Sequence, residues 1–358
     1  MKRWTKHMAP IFEAAECAID TEVTQHHGHA IEIAEKLDIN AWDVVACCSG
    51  DGLPHEVFNG LGKKANAAKA LEKVAVVQLP CGSGNAMSLN LNGTDSPSLA
   101  ALAVVKGIRT PQDLVSVSQG ERRTLSFLSQ ATGIIAESDL GTEHLRWMGG
   151  ARFTYGILVR LIGKTVWPCD IAVGTEVGDK ASIREAFRRA TERSSDVEEE
   201  QREKYDSPGL PPLRYGTTTD PLPEGWNLVP YDNMGNFYCG NMAYMTADTN
   251  FFPAALPSDG YQDMICIDGD LPRWKALKSF LEVEHGGLFG LDYVNYRKVT
   301  GYRLIPKPSG RSGPNGEDDG YISIDGERIP YGPFQVESHR GLGTVLSKNG
   351  RLYEARGV

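Results

Sequence analysis

The sequence predicts an α/β region with a doubly wound, mostly parallel sheet over residues 1–110, followed by a β-rich, sandwich-like region over 111–358. Three observations carry this. Helix-like and strand-like runs alternate over 1–110, the pattern of βα units. Two apolar runs in that region, "VVACCS" and "VAVVQLP", pass through glycine turns straight into helices, and open α/β sheets place their ligands at such strand ends. From about residue 111 the texture changes to short strand-like runs separated by polar turns.

The elements follow in order. Residues 2–18 are rich in Ala, Glu and Lys and predict a helix, with Pro10 at a kink or restart. "DTEVTQ" predicts a short strand. "HAIEIAEKLD" places Ile31, Ala34 and Leu37 at helical spacing. "AWDVVACCSG" is a strand, and Pro54 suits the first turn of the helix after it. "VAVVQLP" is a second, fully apolar strand that runs through "CGSGN" into a helix. Residues 96–108 are helical again. Beyond them, "DLVSVSQGERRTLSFLSQATG", "FYCGNMAYMT", "YRLIPK" and "DDGYISIDGERIP" read as strands, with a helix over 272–283. Residues 189–225 are charged, then rich in Pro and Gly, with few aliphatic side chains, and read as a flexible insertion.

Composition excludes some classes. The chain has 358 residues and a net charge of −9, which argues against a nucleic-acid partner. Seven cysteines without CxxC spacing point to a reducing, cytoplasmic setting. No apolar stretch has the length of a membrane span. The first residues, "MKRWTKHMAPIFEAAE", lack the apolar core of a signal peptide.

Chemistry concentrates at the two glycine turns. In Ser49-Gly50-Asp51-Gly52, the glycines allow close approach of a ligand, and a following helix start favours an anion. Asp51 can orient a hydroxyl and accept its proton. A plain β–α turn with a capping Asp remains the alternative. The second turn, Leu79-Pro80-Cys81-Gly82-Ser83-Gly84-Asn85, lacks the Gly-Lys-Ser/Thr of a P-loop but supplies backbone donors for a phosphate. Together the turns are a stronger signal than either alone. His55-Glu56 lacks the second His of a zinc protease, since Asn59 stands there. His26, His27 and His29 read as a solvated turn, and the sequence assigns no metal ligands.

These turns, "SGDGLPHEVFNGL" and "LPCGSGNAMSLNLNGT", resemble the nucleotide-binding core of the sphingosine, or long-chain-base, kinases, within the diacylglycerol kinase-like lipid kinases. "TGIIAESDLGTEHLRWMGGARFTYG", "NFFPAALPSDGYQDM" and "YISIDGERI" resemble further family segments, so the likeness covers nearly the whole chain apart from the insertion.

The resemblance implies a nucleotide-binding domain over 1–110 and a β-sandwich lipid-substrate domain over 111–358, with ATP in the cleft and Mg²⁺ beside it. It implies phosphorylation of the primary hydroxyl of a sphingoid base, with Asp51 as the base. Thr24, Ser49, Gly50, Gly52, Gly82, Ser83 and Gly84 would line the nucleotide, and Arg146 and Arg152 would grip its phosphates, as planar guanidinium donors suit. Asp325, Gly326 and Glu327 match a C-terminal motif at the nucleotide and Mg²⁺ end, although Asp-Gly is also a strong hairpin signal. Asp139, and Ser129 near it, would hold the head group, since a cationic 2-amino group favours a carboxylate. The substrate implies peripheral membrane contact from the cytoplasm. The family begins with a strand and a glycine- and lysine-rich loop, whereas Met1-Lys2-Arg3-Trp4 resembles the start of the helix after it. The first strand and loop are therefore expected to be absent, which keeps open the reading of a non-catalytic lipid-binding relative; a kinase for diacylglycerol or ceramide is the other alternative, against which Asp139 argues.

Overall fold

In the computed structural model, β1 (Val44–Ser49) and β2 (Ala75–Pro80) pair in parallel, from Val44 opposite Ala75 to Ser49 opposite Pro80. The structure describes residues 2–142, 155–157, 159–160, 163–192, 203–205, 207–308 and 320–358. Helices α1 (Ala9–Ala14), α2 (His29–Lys36), α3 (Gly52–Gly62), α4 (Ala67–Lys73), α5 (Ala86–Asn92) and α6 (Pro97–Val105) surround the strands. The period-2 alternation of β2 sorts its side chains between two helical layers. Ala75, Val77 and Leu79 pack with Met8, Phe12, Ala101 and Val104. Val76 joins Phe58, Leu61 and Leu71 on the other side. This is the doubly wound arrangement that the alternation predicts.

One expectation fails and another holds in part: the kink at Pro10 is present, but the N-terminal helix ends at Ala14 instead of reaching residue 18. Residues 20–25 form no strand. Ile19 and Val23 are exposed there, so the run buries no apolar face to hold a pairing. The N-terminal helix is broken into a π-helical turn, Trp4–Met8, and α1. Pro10 has no N–H to donate into the preceding turn, which loosens the ladder at that point.

The second region is antiparallel. Its elements are β3 (Ile108–Gln119), β4 (Arg122–Ser126), β5 (Ser129–Gly133), α7 (Ile134–Asp139), β6 (Cys169–Val177), α8 (Lys180–Glu192), β7 (Val229–Tyr231), β8 (Met234–Gly240), β9 (Tyr244–Thr246), β10 (Thr249–Asn250), β11 (Gln262–Asp268), α9 (Arg273–Glu282), β12 (Asn295–Pro306), β13 (Ile322–Ile324), β14 (Glu327–Ile329) and β15 (Phe334–Ser347). One sheet runs β14-β13-β5-β8-β11-β12-β15-β3-β4, with β6 on the other edge of β12 and β7 beside β6. β4 and β5 stand far apart along this path, yet the short link Phe127–Leu128 joins them. The sheet must therefore curl back on itself. Its inside is filled by Phe237, Tyr302, Leu304, Phe334 and Val336.

The long β3–β15 ribbon ties the two regions together. Its far end carries Leu346 into the layer of Phe12 and Leu79. The Thr344 hydroxyl donates to the Glu72 carbonyl at 2.7 Å, and the Arg109 guanidinium to the carbonyls of Glu72 and Lys73.

The segment read as a flexible insertion is, from residue 207 onward, part of the packed structure. Gln335 Nε2 donates to the carbonyls of Tyr215 and Gly216, and Arg303 to those of Thr217 and Asp220. Trp226 is buried against Gly174, whose missing side chain leaves room for the indole. Polar composition hid this, because sheet side chains satisfy the segment's backbone instead of an apolar stripe holding it.

Candidate active site

The two glycine turns lie against each other. Cys81 N–H donates to the Ser49 carbonyl at 3.0 Å, extending the parallel pair by one bond. The Gly50 and Gly82 backbones then approach so closely that a Cβ on Gly82 would strike Gly50. Asn85, in a left-handed conformation at φ 57°, closes the second turn. Its Oδ1 accepts from Gly82 N–H at 2.9 Å and its Nδ2 donates to the Gly82 carbonyl at 3.0 Å. Gly82 and Ser83 are left exposed at the strand end. Ser49 turns its hydroxyl onto the Gly50 carbonyl at 2.7 Å.

Asp51 precedes α3 but does not cap it. Its side chain crosses to the start of α5. Oδ1 accepts from Met87 N–H and from Gln78 Nε2, and Oδ2 from Ala86 N–H, all at 3.1 Å. A carboxylate oxygen has two acceptor positions, so Oδ2 keeps one beyond its bond to Ala86 among the described residues. Burial pushes the Asp51 carboxyl above the usual range. The Met87 and Ala86 N–H groups and the Gln78 amide pull it down, Asp325 pushes it up further, and burial prevails.

Asp325 and Gly326 form the two-residue turn between β13 and β14, with φ of 53° and 87°. That is the left-handed pair a tight hairpin needs. Asp325 is nonetheless more than a turn residue. It is buried, and five donors surround it. Oδ1 accepts from the Ser126 hydroxyl (2.6 Å), Leu128 N–H (3.0 Å) and Ser129 N–H (2.9 Å). Oδ2 accepts from His55 Nδ1 (2.8 Å) and Phe127 N–H (3.0 Å). The carboxylate therefore pins α3 to the curled sheet. Burial alone would lower the His55 pKa. The hydrogen bond to Asp325 and the charges of Asp325, Glu327 and Glu56 overcome this and raise it.

The other expected residues cluster around this pair. Gly326 lies against the carboxylate of Asp139, at the end of α7, and Gly52 against that of Glu327. Ser129 Oγ stands 3.3 Å from the Tyr238 hydroxyl, a group that burial and the carboxylates of Asp139, Asp325 and Asp51 all hold in its neutral form. Thr24 is half-buried in the coil before α2. That coil is fixed by Glu56, which accepts from Gly28 N–H (2.9 Å) and Ala30 N–H (3.0 Å). His27 sits between Glu56 and Glu327, 3.4 Å from the first and 3.9 Å from the second. Arg146 and Arg152 lie outside the described residues.

Sequence reasoning missed His55, Glu56, Gln78, Asn85 and Tyr238. Three of them left a signal. Asn85 follows Gly-Ser-Gly and is a residue type that tolerates the left-handed region. His55-Glu56 is polar on a helix face that must be buried, and buried polar groups need partners.

Comparison with known proteins agrees with this architecture. Residues 1–117 match the diacylglycerol kinase catalytic domain. The chain is 35% identical to sphingoid long chain base kinase 5 of Saccharomyces cerevisiae, over 96% of its own length and 56% of that protein's. It is 32% identical to sphingoid long chain base kinase 4 of Schizosaccharomyces pombe, over 96% of this chain and 71% of that one. Human sphingosine kinase 1 is 27% identical over 95% of this chain. The crystal structure of a putative diacylglycerol kinase from Bacillus anthracis superposes with a TM-score of 0.63 at 15% identity, covering 97% of this chain and 92% of that one, and shares the fold. With the glycine turns, the Asp51 carboxylate and the Asp325 hub in place, the chain belongs to the sphingoid long-chain-base kinase family.

Proposed function

We propose that this protein transfers the γ-phosphoryl group of ATP to the primary hydroxyl of a sphingoid long-chain base, giving the 1-phosphate. The observation that carries this reading is a convergence. Asp51, the Asp325–Glu327 hairpin and Asp139 arrive from three parts of the chain, and the hairpin meets the others, with Gly326 against the Asp139 carboxylate and Glu327 against Gly52, the neighbour of Asp51.

The exposed turn at Gly82, Ser83 and Gly84, beside Gly50 and Gly52, offers backbone to the phosphates, with Thr24 and Ser49 on its rim. Glu327 is the residue of the hairpin suited to Mg²⁺. Its carboxylate is 39% exposed, whereas those of Asp325 and Glu56 are occupied by protein donors, and Mg²⁺ at phosphates commonly takes one or two carboxylates. Bound there, the ion neutralises phosphate charge. Arg146 and Arg152 supply further positive charge. Asp139 receives the cationic 2-amino group, with Ser129 at the adjoining hydroxyl. Asp51 Oδ2 accepts the hydroxyl proton. The hydroxyl oxygen bonds to the γ-phosphorus as the bond to the β-phosphate oxygen breaks, and ADP leaves. A weak base suffices, because positioning and charge dominate phosphoryl transfer. The substrate is a membrane lipid, and among the described residues no helix is long and apolar enough to cross a membrane. A membrane-lipid substrate calls for work at the membrane surface, and the free cysteines suit its cytoplasmic side.

Labelled γ-phosphate transfer from Mg·ATP to sphingosine, diacylglycerol and ceramide tests this. We expect sphingosine alone to be labelled, and Asp51→Asn to lower turnover about a thousandfold. Labelling of diacylglycerol or ceramide instead, or Asp51-independent labelling, sinks the reading.

A further inference from the structure

The solvent face of α9 is apolar. Trp274, Leu277 and Leu281 are 65%, 48% and 64% exposed, and their spacing along the helix sets them in one stripe. The opposite face is buried through Ala276 and Ser279, and through Val283 just beyond. Single exposed apolar residues need no explanation, but three large ones aligned mark a contact surface.

The charges around the stripe say what it contacts. Lys278 falls just outside the stripe on the Trp274 edge, and Arg273 and Lys275 flank it on its two sides at about 100° per residue. Lys275 Nζ is 5.7 Å from the Trp274 ring and 4.9 Å from the Tyr293 ring, so its ammonium stands at the stripe's edge. The helix's acidic residue, Glu282, turns its carboxylate onto Gly287. A chain of net charge −9 thus presents a locally basic, apolar face, which fits an anionic partner. An aromatic-and-leucine stripe bordered by Lys and Arg is also the pattern of helices that lie in a lipid interface.

We propose that α9 is a membrane-docking helix, lying in an anionic lipid surface with Trp274, Leu277 and Leu281 immersed and Arg273, Lys275 and Lys278 at the headgroups. This deepens the lipid-kinase reading, on which it rests for its biological sense, by naming the surface that reaches a bilayer-dissolved substrate.

The test reads binding without ATP or substrate. The full chain is sedimented with vesicles of phosphatidylcholine, alone or with roughly 30% phosphatidylserine. The wild type is expected to bind the anionic vesicles about tenfold more tightly than the neutral ones, and less tightly as salt rises. Trp274→Glu with Leu281→Glu should weaken binding about tenfold or more, and Lys275→Glu with Lys278→Glu should abolish the preference for anionic vesicles. Trp274, Lys278 and Leu281 are exposed and Lys275 is half-buried, so the Trp274/Leu281 variant should keep its melting temperature, which separates lost docking from lost folding. Absent vesicle binding by the wild type, or undiminished binding by the Trp274/Leu281 variant, overturns the proposal. A concentration-dependent dimer dissolved by that variant assigns the stripe to a second copy and also overturns it. Vesicle binding without any kinase activity would count against the lipid-kinase reading and leave the docking helix standing.

Discussion

Asp51-Gly52 and Asp325-Gly326 are the same dipeptide, and each carboxylate bonds to backbone N–H groups on another element. They differ in backbone, in access and in how completely they are occupied. Asp51 has an ordinary helical backbone, φ −72° and ψ −17°, at the mouth of the two glycine turns, and is partly exposed. It accepts three hydrogen bonds and keeps an acceptor position on Oδ2. Asp325 is held in a left-handed hairpin turn, 4% exposed, with both oxygens surrounded by five donors. Residue type therefore does not separate a proton acceptor from a structural anchor. Spare acceptor capacity facing an open turn does.

The widest contrast expected from this comparison is between turnover and stability. Asp51→Asn should remove about three orders of magnitude of turnover while costing about 1 kcal/mol of stability, because one amide flip leaves a single backbone N–H opposed. Asp325→Asn should do the reverse in proportion. Backbone N–H groups point at both its oxygens, so either flip buries an NH₂ against a donor, and the loss is about 3 kcal/mol. Urea unfolding and turnover per folded molecule, measured on both variants, check this. Equal stability losses would erase the distinction.

A smaller effect sharpens the substrate side. Asp139 is the carboxylate beside Gly326 and Tyr238, and a charge-assisted bond to a cationic amine contributes about 1.5–3 kcal/mol. Asp139→Asn should therefore raise KM for sphingosine about ten- to a hundredfold. A KM that does not move places the amine elsewhere.

The sequence made one half of this comparison legible. The strand, glycine turn and helix around Asp51 are local, so periodicity and turn chemistry reach them, and β1, β2, α3 and α5 fall where those patterns put them. The Asp325 turn was equally legible as a hairpin. Its hub was not, because His55 is 270 residues away and Ser126 is 199. Contacts of that separation leave no periodic trace. The same limit explains the segment after residue 207, which is held by side chains of β12 and β15 that no local pattern announces. Family resemblance could collect the conspicuous residues, Asp51, Asp139 and Asp325, but not the buried polar ones that position them.

The smallest predicted effect tests the link between the two aspartates. His55 rises from α3, four residues after Asp51, and hydrogen-bonds to Asp325 with its pKa raised. A histidine whose folded pKa lies above its unfolded value of about 6.5 contributes its stability in full below that value. The contribution fades as pH climbs through the folded pKa, because the neutral ring gives Asp325 a hydrogen bond without a charge. His55→Gln should thus cost about 1–2 kcal/mol near pH 5.5 and less near pH 9. Urea midpoints of wild type and variant across that range measure the difference. A gap that stays constant with pH would mean that folding leaves the His55 pKa at its unfolded value, and that no charge interaction with Asp325 strengthens the join between α3 and the hairpin.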